Sequence, residues 1–570
     1  MNETNPSQDI PELSVKLSAD ENLNILLNQV VSEVKTYADQ LMSQLMRLSE
    51  IGRALSGERD LNVLLGLIIR EARNFADADA GTLYIMEDNK LHFKIVQNKS
   101  LDIYMGGKDE QDITFPPVEL VESNVSAFVA LHGIPVNIPD VYDTNLFDFT
   151  GPKMFDKSTG YRSKSMLVIP MKNYEDDIIG VLQLLNAQNP KTGEVIPFSP
   201  DCENMIESLA SQAAVAISNV KLINDIEKLF ESFVEVMATA IDKKSAVTGG
   251  HIRRVRKLTM EMAEAVHNQK EGKFKDITYT PDQFYELSIA AWMHDIGKVT
   301  TPVEVIEKGK KLQTIFDRIH HVDLRLKYII QGIQTKSLKS KLKLLQNGRP
   351  DHEIQALEEE CKKEIERLEE IRSFILQANE PGEFLEDEKV ERLKEIRAMT
   401  FADHEGNEIN YLTEDELKNL SIRKGSITAE ERQIMKNHAA ITLDMLNKIP
   451  FTKKLRNIPK FAAAHHECID GSGYPLGLKG DEIPFDGKLM AVTDIAEALT
   501  ASDRPYKKAM PLENVFRILR SMASNGQLDP DLVELFINED IYQKFQRKSK
   551  PENSAEKPSE ISKQKKELTR

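Results

Sequence analysis

The chain is short of cysteine. Cys202, Cys361 and Cys468 are the only three in 570 residues, and they lie far apart with no paired spacing. That excludes a disulfide framework, suits a reducing compartment, and leaves no thiolate set for a closed structural zinc site. Long apolar runs are also missing: the most apolar stretch, Leu61 to Ile69, contains Asn62 and is far below the length of a bilayer span. Met1 to Leu17 is polar and acidic, without the basic and apolar regions of a secretion signal, so the expected location is the cytoplasm. Positive charge is in deficit, with 74 Lys and Arg against 91 Asp and Glu and a net charge of −17. This argues against a general binder of nucleic acid or anionic membranes, and any anionic substrate must be held by local charge.

What is present, 41% hydrophobic and 29% charged residues, reads as a globular protein with helix-rich, charged surfaces. At this length two or three domains are expected. Residues 1–18 read as disordered. In the next stretch, 19–49, Leu23, Leu26, Leu27, Val30, Val31, Val34, Leu41, Leu45 and Leu48 recur at helical spacing. They suit either an amphipathic helix packed on its neighbour or a helix that pairs with its copy in a dimer.

Residues 50–220 alternate helix and strand signals. Leu61 to Phe75 predicts a helix, and Ala80–Met86 and Leu91–Gln97 predict strands joined by a turn at Glu87–Lys90. Ser165–Met171 and Ile178–Leu185 form a second pair, followed by a helix from Met205. This stretch resembles a GAF domain, a small sensory α/β module, which implies an unidentified small ligand and pairing of chains. Thr159-Gly160-Tyr161-Arg162-Ser163 is similar to GAF domains of cyclic-nucleotide phosphodiesterases. Of their Asn-Lys, Phe, Asp-Glu signature, Asn186, Phe198 and Glu203 fit, but Ala187 replaces the Lys and Cys202 the Asp. The ion pair those two positions would form is absent, so a GAF domain that only dimerises or takes another ligand is as good a reading. No Gly or Pro interrupts 205–242, which reads as a connecting signalling helix stiff enough to carry a small rotation.

The chemistry gathers around His294-Asp295-Ile296-Gly297-Lys298. His and Asp can offer one metal a nitrogen while the carboxylate bridges to a second, and Lys298 returns to the same helical face as Asp295. Alone, such a pair is more commonly a buried His bonded to its neighbour. Gly249-Gly250-His251 precedes it, however, and His438, His465-His466-Glu467, Asp470-Gly471-Ser472-Gly473-Tyr474-Pro475, Asp494 and Arg504-Pro505-Tyr506 follow. His294-Asp295 with Gly473-Tyr474-Pro475 resembles the HD-GYP family, bacterial metal-dependent phosphodiesterases of cyclic di-GMP. The resemblance covers about 225–545, apart from an insertion at about 310–425. Two long helical patterns in the insertion, near Ile319–Leu345 and Ile354–Ile375, predict an antiparallel hairpin around Asn347-Gly348-Arg349-Pro350, then a shorter helix near Asp387–Arg397. A partner or dimer surface is the preferred role and a lid the alternative. His320, His321 and His404 read as surface histidines, and 547–570 as a disordered tail. The fold expected is thus multidomain, an α/β GAF sensor followed by an all-α HD-type metallohydrolase with a helical-hairpin insertion.

The resemblance implies one metal site from His251, His294, Asp295 and Asp494, and a second from His438, His465 and His466 sharing Asp295. Val247 stands where some members hold a third metal with Glu, so two metals are expected. Imidazole and carboxylate ligands suit iron or manganese, with zinc an option, better than magnesium. Two such ions ionise a bridging water and hold the phosphate. Lys298 would contact the phosphate or assist the leaving group, Arg504 and Lys507 would grip phosphate, and Tyr474 would meet the nucleotide. Cys468 reads as incidental. The activity implied is hydrolysis of cyclic di-GMP to pGpG, with pGpG or GMP left open as the end product. The alternatives are hydrolysis of 3′,3′-cyclic GMP-AMP, or a catalytically silent adaptor that binds nucleotide or partners.

Overall fold

The computed structural model describes residues 20–108, 111–245, 249–382, 384–501 and 510–549. Of the stretches expected to be disordered, 1–18 and 550–570 lie outside the described residues, as do Val247, Arg504 and Lys507, whereas 547–549 of the expected tail end a helix, Ile541–Ser549. The chain divides into two compact units, Met1–Leu229 and Phe230–Arg570. Among the described residues, no helix is long and apolar enough to cross a membrane.

The first unit opens with α1 (Glu21–Gly57) and α2 (Leu61–Phe75). Both are started by an aspartate whose side chain accepts from the first free backbone N–H groups, Asp20 from Asn22 and Asp60 from Asn62. Then come β1 (Ala78–Glu87), β2 (Lys90–Asn98), β3 (Ile103–Met105), β4 (Val118–Glu119), α3 (Val125–His132), β5 (Val136–Ile138) and α4 (Thr150–Thr159). The unit's elements end with β6 (Met166–Lys172), β7 (Ile178–Gln188), β8 (Val195–Ile196) and α5 (Pro200–Lys244), which continues into the second unit. The hairpin of β1 and β2 turns at Asp88 and Asn89, whose φ of 51° and 58° match the twist of the strands. The sheet is antiparallel throughout, ordered β3-β2-β1-β7-β6-β5, with β4 on β2 and β8 on β7.

Because side chains alternate across a strand, Leu83 and Ile85 face one side of the sheet and Tyr84 the other. The first face packs on α2 and on Ile206, Leu209, Ala213 and Ile217 of α5. The second face, with Val129 of α3 and Phe149, covers a cavity of about 440 Å³.

The second unit is helical around one main core. Its helices are α6 (His251–His267), α7 (Pro281–Met293) and α8 (Val303–Ile306), with a 3-10 turn at Ile296–Thr300 between α7 and α8. Next, α9 (Ile319–Gln346) and α10 (Asp351–Asn379) form the hairpin; ion pairs Arg372–Asp323 and Lys341–Glu358 show the antiparallel register. After α11 (Asp387–Ala398), a small hairpin unforeseen in the sequence, β9 (Thr400–Ala402) with β10 (Glu408–Asn410), leads to α12 (Glu414–Leu420). Strands of three residues carry too little period to be read in advance. This stretch has its own core of Leu312, Val322, Ile329, Leu368, Ile375 and Leu393. His320, His321 and His404 are exposed. The remaining helices are α13 (Ala429–Asn447), α14 (Ile458–Ala463), α15 (Phe485–Thr500), α16 (Leu512–Ser524), α17 (Pro530–Asn538) and α18 (Ile541–Ser549).

One expectation needs correction. His294 caps α7, and Lys298 follows Asp295 on a 3-10 turn rather than an α-helix. With three residues per turn, positions i and i+3 eclipse, so the two side chains still meet. On α13, Ile434 is 41% exposed, and the inward face is His438, Ala439, Thr442 and Leu446.

Candidate metal centre

Five chain segments deliver the site. Gly250, at φ 76°, lets the chain turn into α6 so that His251 is its first residue. His294 and Asp295 end α7, and His438 projects from the middle of α13. His465 and His466 sit on a 3-10 turn after α14, and Asp494 lies on α15. Apolar side chains of the main core hold these elements, among them Ile252, Leu287, Leu446, Ala462 and Leu489.

Asp295 is at the centre. One carboxylate oxygen, Oδ2, lies 3.4 Å from His251 Nε2, 3.4 Å from His294 Nε2 and 2.6 Å from Lys298 Nζ. The other, Oδ1, lies 3.3 Å from His438 Nε2 and 4.0 Å from His465 Nε2. Asp494 Oδ1 is 3.2 Å from His251 Nε2 and 4.0 Å from His294 Nε2. Three sets of donor atoms lie mutually within 4.8 Å: His251, His294 and Asp494; His438, His465 and His466; and His294, Asp295 and His465.

The ring tautomers follow from the backbone. His294, His438 and His465 each place Nδ1 on the carbonyl three residues earlier, at Ala291, Met435 and Ala462, at 2.8, 2.5 and 2.6 Å. A carbonyl only accepts, so Nδ1 carries the proton and Nε2 keeps its lone pair. All three Nε2 atoms and Asp295 Oδ1 are buried without a hydrogen-bond partner. Three lone pairs and a carboxylate oxygen converging in a buried pocket are costly unless a cation receives them. By that test the donor set fits divalent metal ions.

Electrostatics point the same way. Burial pushes the His438 and His465 rings below the ordinary imidazole range and His466 to about 4, so all three are neutral. For Asp295, burial opposes ionisation, but Lys298 and the bond from His251 outweigh it and hold the carboxyl well below its usual value. Asp494 is held down likewise, chiefly by His251 against the effect of burial. His251 is the exception: burial works against its charge, yet Asp295, Asp494 and Glu497 hold its pKa well above the ordinary value.

Several supporting residues were given no role in the sequence. Glu497, one turn after Asp494 on α15, bonds His251 Nδ1 and accepts from Arg254 Nε at 2.6 Å. Its i+3 spacing from Asp494 is the one signal that could have found it. Thr442 Oγ1 accepts from Gly297 N at 3.0 Å and donates to His294 O at 3.1 Å, pinning α13 to the turn that carries Asp295. A side chain at Gly297 would meet His438 O at 2.0 Å, so the approach requires glycine. Glu467 accepts from Leu476 N and Leu478 N at 2.7 and 3.0 Å, holding the Gly473-Tyr474-Pro475 loop, in which Tyr474-Pro475 is cis. Tyr474 packs 4.8 Å from the His466 ring, with Lys436 Nζ 5.2 Å from its own. Of the residues read from the sequence, His251, His294, Asp295, Lys298, His438, His465, His466, Tyr474 and Asp494 meet here, while Arg504 and Lys507 lie outside the described residues.

Comparison with known proteins gives two family matches, a GAF domain over residues 60–217 and an HD domain over residues 414–532. The chain is similar to a cyclic di-GMP phosphodiesterase of Thermotoga maritima, 42% identical over 117 residues, which is 20% of this chain and 31% of that protein. It is similar to a probable cyclic di-GMP phosphodiesterase of Vibrio cholerae, 38% identical over 137 residues, 22% of this chain and 31% of the relative. A 3′3′-cGAMP-specific phosphodiesterase 3 of Vibrio cholerae is 36% identical over 110 residues, 19% of this chain and 23% of that protein. The chain spans about a third or less of the length of these curated relatives. With a sheet-built first unit and a helical second one, the chain carries a GAF domain followed by an HD domain.

Proposed function

We propose that this protein is a cytoplasmic metal-dependent phosphodiesterase of the HD-GYP type that hydrolyses cyclic di-GMP to pGpG, with pGpG or GMP as the end product, under control of its GAF domain. The observation that carries the reading is Asp295, whose two oxygens face two separate groups of histidines while three ring nitrogens and Asp295 Oδ1 have no hydrogen-bond partner. His251, His294, Asp494 and Asp295 Oδ2 would hold one divalent transition-metal ion, and His438, His465, His466 and Asp295 Oδ1 the other. Iron or manganese suits these ligands, with zinc an option. When bound, such a pair supplies a nucleophile from water at neutral pH and neutralises charge on the phosphate.

The chain's own residues do the rest. The carbonyls of Ala291, Met435 and Ala462 fix each ring so that a lone pair faces inward. Lys298, with its side chain 17% exposed beside Asp295, can turn toward a substrate phosphate oxygen. Arg504 and Lys507 add two more cations for the phosphates, and Tyr474 offers a ring to a guanine base. A loop held by Glu467 keeps that ring over His466. Two chains pair through α1 and the GAF helices, and the GAF cavity takes a small ligand.

The similarity to a relative named for 3′3′-cGAMP supports a second reading, in which cyclic GMP-AMP is the substrate. Incubating purified, metal-analysed protein with each cyclic dinucleotide and separating products by chromatography decides between them. Linear products from cyclic di-GMP support the first reading. Cleavage of cyclic GMP-AMP alone favours the second, and no cleavage of either, at full metal content, rejects both.

A further inference from the structure

We propose that Lys244, the last residue of α5, is a positioning residue: its ammonium holds the turn that carries Lys298 and so sets where Lys298 meets a substrate phosphate. This deepens the phosphodiesterase reading above and rests on it. In the second unit the end of α5 is seated in the core, where Val234, Ala238 and Ile241 pack with Ile252 of α6 and Leu287 of α7. Its last turn then makes polar contacts with segments that deliver the metal centre. Asp242 is buried and takes backbone hydrogen bonds from Gly250 and Ile252, which flank His251. Ser245, the residue after the helix, donates from Oγ to Glu307 Oε1 at 2.8 Å. Between these two, Lys244 Nζ donates to Lys298 O at 3.0 Å, Val299 O at 2.6 Å and Thr301 O at 2.7 Å.

An ammonium has three N–H groups and no acceptor, so three carbonyls use every donor it has. The last carbonyls of a helical turn have no partner within the turn and form its negative end, where a cation is favoured. The turn Ile296–Thr300 is therefore clamped twice, at Gly297 N by Thr442 and at its end by Lys244. Lys298 stands between the clamps. Its side chain reaches Asp295 Oδ2 at 2.6 Å, so the place of its backbone decides how Nζ is shared between that carboxylate and a phosphate oxygen. Packed interiors pass on small displacements, and a shift of the seated end of α5 reaches Lys298 through these three bonds.

The test uses the full, metal-loaded chain. Lys244→Met keeps the length of the stem and removes every donor. Hydrogen exchange read by mass spectrometry should become at least about ten-fold faster over residues 296–301 and stay unchanged over 435–446 of α13. With whichever cyclic dinucleotide the chain cleaves, kcat should fall about 10–100-fold while KM moves by less than about three-fold, the scale on which a misplaced reacting group loses rate. Metal affinity, read by competition with a chelating dye, should hold, far from the roughly 10–100-fold cost of losing a ligand's partner. Lys244→Arg, whose guanidinium presents N–H groups to the same carbonyls, should recover most of the lost rate.

A residue that acts through Lys298 has nothing left to do once Lys298 is gone. Adding Lys244→Met to Lys298→Ala should therefore cost less than about two-fold further, whereas a general structural role would multiply the two losses. Unchanged exchange over 296–301, multiplied losses, or loss of metal in Lys244→Met each overturn the proposal. If circular dichroism shows that Lys244→Met does not fold, Lys244→Gln, with two N–H groups and no charge, carries the same measurements in the same directions. A parent chain that cleaves neither cyclic dinucleotide overturns the phosphodiesterase reading and the role of Lys298 with it, while exchange over 296–301 still decides whether Lys244 holds the turn.

Discussion

The GAF cavity and the metal centre of the HD unit treat buried polar groups in opposite ways. In the GAF cavity, polar side chains are mostly bonded within the protein. Tyr84 donates to Gln183 at 3.1 Å, Tyr161 donates to Asp79 at 2.8 Å, and Gln97 accepts from Arg73 at 3.0 Å. Asn98, Asn124 and Asp148 each accept from backbone N–H groups of the following loop or helix. Among its described lining residues there is no Lys, Arg or His. In the HD unit, His294, His438, His465 and Asp295 each leave a buried atom without a hydrogen-bond partner. A cavity whose polar groups are already satisfied favours a ligand that brings apolar surface and little charge. Convergent atoms left unsatisfied favour a cation. The same folding cost, an unpartnered buried polar atom, is largely avoided in the lining of the one and concentrated in the other.

The largest expected break in this contrast is Asp295→Ala. Turnover should fall by about a thousand-fold or more, and metal content should drop in both halves of the site because one carboxylate serves both. Elemental analysis alongside product chromatography checks this. Full occupancy with normal turnover would remove Asp295 from the centre.

Arg504→Ala and Lys507→Ala should weaken substrate binding by roughly one to two decades each, as expected for lost charge-assisted hydrogen bonds of about 1.5–3 kcal/mol. Metal content should stay unchanged; loss of metal in either variant would place that residue among the ligands instead. Glu497→Ala should lower metal affinity by about 10–100-fold by freeing the His251 ring, whereas Glu497→Gln, whose amide oxygen can still accept from Nδ1, should recover most of it. Competition with a chelating dye reads this without any substrate, and equal affinities for the two variants would mean that ring orientation is not what Glu497 provides.

Thr442→Val leaves Gly297 N without its side-chain acceptor, at a cost of about 1–3 kcal/mol. Urea unfolding should register that loss, and its absence would show the turn to be held by other contacts. The smallest effect is expected in the GAF unit. Cyclic GMP should leave the melting profile of the full chain unshifted, because no cation in the described lining faces a phosphate and Ala187 replaces the expected Lys. A saturable upward shift would mean that the phosphate is held from outside that lining.

Much of this protein was written locally, and those parts were legible. The helices α2, α9 and α10 follow apolar periods of 3.6 residues, the turn at Asp88 and Asn89 joins two alternating strands, and the unbroken 205–242 stretch forms one helix within α5. The residue types of the centre could also be named in order, since imidazole and carboxylate chemistry belongs to the side chains themselves. Only tertiary structure decided how they act. Asp295 divides its two oxygens between histidines 44 residues before it (His251) and 143 after it (His438), which no local pattern encodes. The 2.0 Å approach at Gly297, the bridge made by Thr442 and the placing of Glu497 against His251 depend on segments 141 to 246 residues apart being pressed together by the core. Period and propensity act over a few residues, whereas the direction in which a lone pair points is set by whatever the rest of the chain packs around it.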